Sequence, residues 1–444
     1  MFVDLPNGSY DNSILQTEPM IAWFTTTEIA IQVWIFKKIN VTPHLHSYNS
    51  IHNFSRIVKL PMQTIEANTP TIIVFGSLVD DFSDFIKGPP QTKVKITLYG
   101  ECKQKHVFTF CYNIPKYWAG PIDPFLPNFT FNIFSCFKLL GDYETDKNVY
   151  PFSISKFFSE YSQISDLNLL LGDNIYLSGF EANTQSGVIQ RYKKLRNVPL
   201  LKGAWSSSPF SAICDDHDLG VNDVSFGGPG IYLNRQIFAT MWPNNNLNNI
   251  SPLIWSFFRY DLSFVGIDSR SYCTEPGNPS STILGQQQLE WLRQTLYSIQ
   301  QLYENSFIFI CTGIPFVQPR DVYFNNGYTT DRNAIIKVIL DLNLKNVVFL
   351  TGSAHFSNIS REPIGNGITI TEFMNSPMGT IPRNEKGYEK FPNNPYLVPG
   401  TLLLNQNNFG QIKISGNYGK RKLHYSVILQ DGTIAYTYDL DQQT

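Results

Sequence analysis

From about residue 128 onward, short apolar runs alternate with helical patterns, and a polar group follows nearly every run. Phe129–Phe134 ends at Ser135-Cys136, Leu167–Leu171 at Gly172-Asp173, and the 210–213 run at an acidic stretch beginning with Asp215. Leu262–Ile267 ends at Asp268, Phe307–Cys311 near Thr312-Gly313, and Val347–Leu350 at a segment closing on His355. Runs this short and this apolar read as buried strands. Ile154–Ile164, Val188–Arg196, Gln286–Gln300 and Arg332–Leu342 read as helices between them. Such alternation builds a layered α/β fold, and there the C-terminal strand ends gather at one rim where ligands bind. Cys136, Asp173, the 215–223 stretch, Asp268 and His355 are therefore expected to be neighbours.

Before that region the pattern is β. Met20–Phe24, Ile29–Phe36, Thr71–Phe75, Lys93–Tyr99 and His106–Phe110 are strand-like and broken by Pro, Gly and Asn, which predicts a small sandwich over residues 1–120. The Pro-rich Tyr117–Pro127 marks a boundary, and the layered unit is expected over 128–400. A hairpin pattern, Leu423–Leu429 and Thr433–Tyr438 around Asp431-Gly432, predicts a C-terminal β extension over 401–444.

The acidic stretch packs four carboxylates, one of only seven histidines and a carboxamide into residues 215–223. Oxygen-rich clusters suit hard or borderline cations, and imidazole binds metal or moves protons. A solvated acidic loop would look the same in isolation; recurrence of polar groups at the other strand ends favours a site. Asp268 could simply cap a turn, and His424, alternating within a strand, reads as structural.

Bulk properties remove other classes. The net charge of −2 with 16% charged residues offers no basic nucleic-acid face or polybasic membrane patch. No apolar run approaches a bilayer-spanning length. The six cysteines, at 102, 111, 136, 214, 273 and 311, form no CxxC unit and read mostly as buried thiols. Met1–Gly8 lacks a basic-then-apolar signal pattern, which makes the cytoplasm the default and leaves export open. The sequons at Asn7, Asn40, Asn53, Asn128 and Asn358 matter only in a glycosylating compartment.

Taken in order, Ser135-Cys136, Gly172-Asp173-Asn174-Ile175-Tyr176, Asp215-Asp216-His217-Asp218 with Asn222-Asp223, Asp268-Ser269-Arg270, and Leu284-Gly285-x-x-Gln288-x-x-Trp291-Leu292 resemble the motifs of the PhoD-like alkaline phosphatase/phosphodiesterase family, within the calcineurin-like metallophosphoesterases. The resemblance covers nearly the whole chain. It implies a metallophosphoesterase-like α/β sandwich behind an N-terminal all-β sandwich. It also implies two or more metal ions, iron plus calcium, although composition alone would equally admit zinc or manganese. Carried over by position, Cys136, Asp173, Tyr176 and His355 would hold the first metal, with Asp173 bridging, and Asp216 would reach the second. Asn222 and Asp215 are further candidates around the metals. His217 would touch the phosphate or leaving group, and Asn174 and Arg270 would face the substrate. The implied chemistry is in-line attack on a phosphodiester or phosphomonoester by a metal-activated water, without a covalent intermediate.

Two positions depart from the family. Its Gly-Asp-x-His is here Gly352-Ser353-Ala354-His355, a neutral hydroxyl in place of an anionic ligand, and its Asp-x-Arg-x-x-Arg ends here at Cys273. A working hydrolase and a degenerate phosphoester-binding protein are both compatible with these changes; a purely structural protein with a solvated acidic loop fits the ordered motifs poorly. The leaving group, small alcohol, nucleotide or lipid, is not legible, nor is the oligomeric state.

Overall fold

The computed structural model describes residues 9–10, 16–17, 19–24, 29–35, 38–49, 54–75, 93–100, 106–113, 126–138, 152–198, 201, 203–224, 227–228, 230–244, 251 and 253–443. Asn7, Asn53, Cys102, most of the Tyr117–Pro127 boundary and most of the Asn-rich stretch at 244–250 lie outside them.

The N-terminal β region contains strands β1 (Ser9–Tyr10), β2 (Met20–Phe24), β3 (Ile29–Val33), β4 (Ile39–Asn49), β5 (Phe54–Lys59), β6 (Gln63–Ile65), β7 (Thr71–Phe75), β8 (Lys93–Gly100) and β9 (His106–Asn113). One sheet runs β1-β9-β8-β4-β5, with β6 also on β4; the other is β2-β3-β7. All of these pairings are antiparallel. Strand β4 escapes a reading from pattern because Pro43 sits inside it, and proline normally argues against a strand interior. The three-stranded sheet is tied to the rest of the chain. Ile21 N–H donates to Trp205 O at 3.0 Å, Met20 and Trp34 share a core with Trp205 and Trp242, and the buried Arg196 donates to the Gln32 side chain.

The layered unit begins with β10 (Phe129–Phe134), β11 (Leu167–Leu171) and β12 (Phe210–Ile213), three parallel strands. It continues with β13 (Trp255–Arg259), β14 (Leu262–Gly266), β15 (Ile308–Thr312), β16 (Val347–Thr351), β17 (Asn358–Gly365) and β18 (Ile368–Met374), and closes with β19 (Asn408–Ser415), β20 (Lys422–Leu429) and β21 (Ile434–Asp441). The first sheet is ordered β12-β11-β10-β19-β20-β21 and the second β13-β14-β15-β16-β18-β17. Strand β19 pairs antiparallel with β10, so the C-terminal strands continue the first sheet through hydrogen bonds.

The two sheets face each other. Phe131 of β10 meets Phe264 of β14 and Phe309 of β15 edge-on, with ring centroids 5.2 and 5.1 Å apart. The helices are α1 (Phe152–Gln163), α2 (Gly179–Ala182), α3 (Gln185–Arg196), α4 (Asp216–Leu219), α5 (Ile231–Met241), α6 (Gly285–Leu302), α7 (Thr329–Asp341) and α8 (Glu385–Tyr388). Phe158, Val188, Tyr192, Ile237 and Phe238 of α1, α3 and α5 share a core with Phe134, Leu170 and Ala212 on the outer face of the first sheet. Leu292, Leu296, Ile335 and Ile339 of α6 and α7 do the same with Val265, Ile310 and Phe349 on the second. The result is an α/β/β/α sandwich in which strands of both sheets end at a common rim. Among the described residues no helix is long and apolar enough to cross a membrane.

Candidate metal centre

At the rim the chain segments are pressed together by glycines. A Cβ on Gly352, just after β16, would lie 2.0 Å from Ser135 Oγ and 2.8 Å from Leu171 O; one on Gly172 would lie 2.6 Å from Asp215 Cβ. Beside these glycines, Cys136, Asp173, Ser353 and His355 adopt left-handed φ values of 55°, 54°, 65° and 61°. That region is uncommon for residues other than glycine, and such strain gathers at functional sites.

Two donor sets result, each with candidate ligand atoms within 4.8 Å of one another: Cys136, Asp173 and His355, and Asp173, Asp216 and His217. Asp173 belongs to both. Its Oδ2 accepts from Tyr176 OH at 3.0 Å and lies 3.5 Å from Cys136 Sγ, while its Oδ1 accepts from His217 N–H at 3.3 Å. Tyr176 OH also reaches His355 Nε2 at 3.4 Å. The Tyr176 ring stacks on His217 with centroids 4.3 Å apart. Around the thiol, Ser376 Oγ donates to Cys136 Sγ at 3.1 Å and Ser135 Oγ lies 3.2 Å away. Ser376 Oγ in turn accepts from His355 N–H at 3.1 Å, fixing the His355 segment on the same serine.

The electrostatics call for cations. Burial, followed by the charges of Asp216, Asp215 and Asp218, pushes the Asp173 carboxyl well above its usual range, against the Tyr176 hydrogen bond. Burial and then Asp173 push up both the Cys136 thiol and the Tyr176 phenol. His355 is pushed down to about 3, by burial first and then Arg383 and His217, and so presents a neutral imidazole. Burial works against Asp216, but Arg270, His217 and the Asp223 N–H hold it below its usual value. Neutral imidazole is the ligating form, and a bound cation is what turns a buried thiol or phenol into an anionic ligand. A thiol, a phenol, carboxylates and imidazoles converging on one shared carboxylate fit a pair of metal ions.

The expected residues divide into two groups. Cys136, Asp173, Tyr176, Asp216, His217 and His355 lie together at the rim. Asp215 is buried, but its Oδ1 is taken by Arg270 Nε at 2.5 Å, and its Oδ2 has no hydrogen-bond partner among the described residues. Arg270, expected at the substrate, is instead turned inward: it is buried against Asp215 and lies 3.7 Å from Asp216 Oδ1. Asn174, also expected there, is buried; its Nδ2 donates to Ile213 O at 2.9 Å and to Asp218 Oδ2 at 3.2 Å, stapling two strand-end loops. Asn222 is exposed and spends its amide on Asp223 Oδ2 at 2.6 Å. Asp268 does cap a turn, accepting from Arg270 and Ser271 N–H at 3.1 and 2.9 Å. Gln288 fastens α6 to that turn by donating to Asp268 O at 2.9 Å and accepting from Asp268 N–H at 2.8 Å. Cys273 pairs with Tyr328 OH at 2.8 Å. Ser353 donates its N–H to Ser135 Oγ at 3.3 Å, and its hydroxyl is hydrogen-bonded to Tyr323. Ser376, Tyr323, Arg320 and Arg383 are neighbours of the site that pattern reading passes over. The strand-end rule applied to β18 would have reached Ser376.

The chain is similar to known proteins in sequence and in fold. The sequence model of the family described as PhoD-like phosphatase matches residues 254–425. Alkaline phosphatase D of Bacillus subtilis (strain 168) is 25% identical over 254 residues, covering 49% of this chain and 40% of that protein. Over residues 254–425 the chain is similar to the PhoD-like phosphatases. Its match thus spans well under half the length of that curated relative. The solved structure of PhoD superposes on this chain with a TM-score of 0.68 at 17% identity, covering 99% of this chain and 94% of that one. Purple acid phosphatase PPD1 from yellow lupin (Lupinus luteus) seeds gives 0.66 at 11% identity, covering 98% and 75%. At these identities the likeness concerns the fold, which this chain shares with both phosphatase structures.

Proposed function

We propose that this chain hydrolyses phosphate esters with two bound metal ions. The observation that carries the reading is Asp173, a single buried carboxylate shared by two donor sets at the rim of a metallophosphoesterase fold. Metal ions supply charge neutralisation for phosphoryl oxygens and acidify water at neutral pH. Cys136, Tyr176, His355 and Asp173 would hold the first ion, and Asp173 with Asp216 the second. Asp215 would act from behind through Arg270. The thiol and phenol suit iron and the carboxylates suit calcium, with zinc and manganese as competitors. His217, stacked on Tyr176 with a buried Nδ1 that has no partner among the described residues, would contact the phosphoryl or leaving-group oxygen. Water attacks directly, so no side chain needs to become esterified. The substrate class is a small-molecule or lipid phosphoester.

Ser353 supports a second reading, a phosphoester-binding protein with little turnover, because its hydroxyl is engaged with Tyr323 where the resembled motif has a carboxylate. One experiment separates the two: metal content, diester hydrolysis and monoester hydrolysis for wild type, Asp173→Ala and Ser353→Asp after reconstitution with iron/calcium, manganese or zinc. The hydrolase reading expects wild-type turnover that Asp173→Ala abolishes. Phosphoester binding without turnover, with activity or metal retention gained in Ser353→Asp, would replace it by the second. His217→Gln should lower turnover with metal content intact; loss of metal would make His217 a ligand.

A further inference from the structure

Two guanidinium groups converge beside the Ser353–His355 segment, neither within ion-pair distance of a carboxylate among the described residues. Arg320 lies in the loop between β15 and α7, and its Nη1 donates to Tyr323 OH at 3.2 Å. Arg383 lies beyond β18; its N–H donates to His355 O at 2.7 Å and its Nε to Ala354 O at 2.8 Å. Both stack on Phe391, with Cζ atoms 5.4 and 5.0 Å from the ring centroid, and Arg320 also lies 5.2 Å over Tyr323. Like charges gathered around one ring repel, and Arg320 helps burial to pull Arg383 below its usual value. The buried Arg191, Arg270, Arg332 and Arg421 each meet a carboxylate, whereas the buried Arg196 is met by the Gln32 side chain and the Met241 carbonyl. Arg320 and Arg383, both half-buried, meet no carboxylate within ion-pair distance among the described residues.

Their position gives the surplus charge a use. Both act electrostatically on His355, and Arg320 also feels Asp223 and Arg270 from the acidic stretch. They therefore stand beside the donor sets. Among the described residues, Arg383 has no hydrogen-bond partner for its terminal nitrogens once Nε is spent on the backbone, and Arg320 has one, Tyr323, for a single donor. A guanidinium presents a planar fork of N–H groups matched to phosphate oxygens. With Arg270 turned inward, Arg320 and Arg383 are the arginines beside the donor sets, among the described residues, that can meet a substrate anion.

We propose that Arg320 and Arg383 form a clamp for the non-bridging oxygens of a substrate phosphate and bias the site toward dianionic phosphomonoesters over diesters. The bias rests on the phosphoesterase reading above; the anion clamp itself does not. A monoester offers one more non-bridging oxygen and one more negative charge than a diester, so two extra cations favour it.

The test measures inorganic phosphate binding by titration calorimetry on metal-reconstituted protein, alongside kcat/KM for a monoester and a diester. Arg320→Met keeps the stem and removes the charge. It should weaken phosphate binding about tenfold or more and lower the monoester-to-diester ratio of kcat/KM by a similar factor, with metal content unchanged. Arg320→Lys should recover only part, because it loses the planar fork. Arg383 also holds the His355 backbone, so Tyr323→Phe, which releases Arg320 from its orienting hydroxyl, is the second variant and should give an intermediate loss. Phosphate affinity and ester ratio that are unchanged in both Arg320→Met and Tyr323→Phe would overturn the clamp while leaving the hydrolase standing. Arginine-dependent phosphate binding with no turnover of either ester would keep the clamp and remove the hydrolase.

Discussion

Arg270 Nε lies 2.5 Å from Asp215 Oδ1 with both side chains buried, and the same guanidinium is 3.7 Å from Asp216. One cation thus answers two acids directly behind the candidate metal ions. Removing one partner of a buried pair leaves an uncompensated charge and costs about 3–5 kcal/mol. Arg270→Met should therefore lower the unfolding free energy by that order, read as a lower denaturant midpoint, and recover part of the loss when divalent metal is added. A change in KM with the midpoint unmoved would return Arg270 to the substrate.

Asp173 carries the opposite sign. In the metal-free protein it is buried among Asp215, Asp216 and Asp218, which disfavour its charged form. Asp173→Asn keeps the shape and removes that repulsion, so the metal-free variant should melt above metal-free wild type. Metal should then raise its melting temperature far less than it does for wild type, and turnover should fall about a hundredfold or more, at or beyond the top of the roughly 10–100-fold range for outer partners of metal ligands. Equal metal-induced shifts in the two proteins would show that Asp173 is not the shared ligand.

The glycine packing makes a separate prediction. A Cβ at 352 would sit 2.0 Å from Ser135 Oγ and 2.6 Å from Ser135 Cβ. Gly352→Ala should force apart the segments carrying Cys136 and His355, at a cost of about 1–3 kcal/mol for overpacking. Ser135→Gly in the same chain should restore part of the stability. No rescue in the double variant would place the strain elsewhere.

How much of this was legible follows from what each feature requires. Strands β10, β11, β12, β14, β15 and β16 are short apolar runs, so their polar ends could be read as one rim before any coordinates. The six converging residues lie on or just after those ends. Orientation was not legible: Arg270 and Asn174 follow the right strands, but only packing decides that they turn toward Asp215 and Asp218. Nor were Arg320 and Arg383, which come from irregular loops and reach the site through Tyr323 and the 354–355 backbone. Helix α5 went unread because its start is a left-handed Gly230 within a glycine-rich stretch, with no side-chain cap. The run Ile368–Met374 alternates as a strand should, but its end at Asn375-Ser376 carries no acid, thiol or imidazole to mark it as part of a metal-binding rim.

Asp166 offers a test of the fold away from the metals. It precedes β11, and its Oδ2 accepts from Thr130 N–H of β10 at 2.8 Å while its own N–H donates to Thr130 O at 2.8 Å. Burial raises its carboxyl to about 6, opposed by that hydrogen bond and by Arg259. The folded chain therefore holds this proton more tightly than the unfolded chain, whose carboxyl titrates near 4. The associated stability is fully present below about pH 4 and is lost as pH rises through about 6. Two pH units would correspond to about 3 kcal/mol, and partial exposure reduces this to about 1–2 kcal/mol. Asp166→Asn, which keeps an acceptor for Thr130, removes the titration. Its stability relative to wild type should rise by about 1–2 kcal/mol between pH 4 and pH 8, read from paired urea melts. A difference that is flat across that window, or that falls with pH, would show that Asp166 ionises in the folded chain as easily as in water.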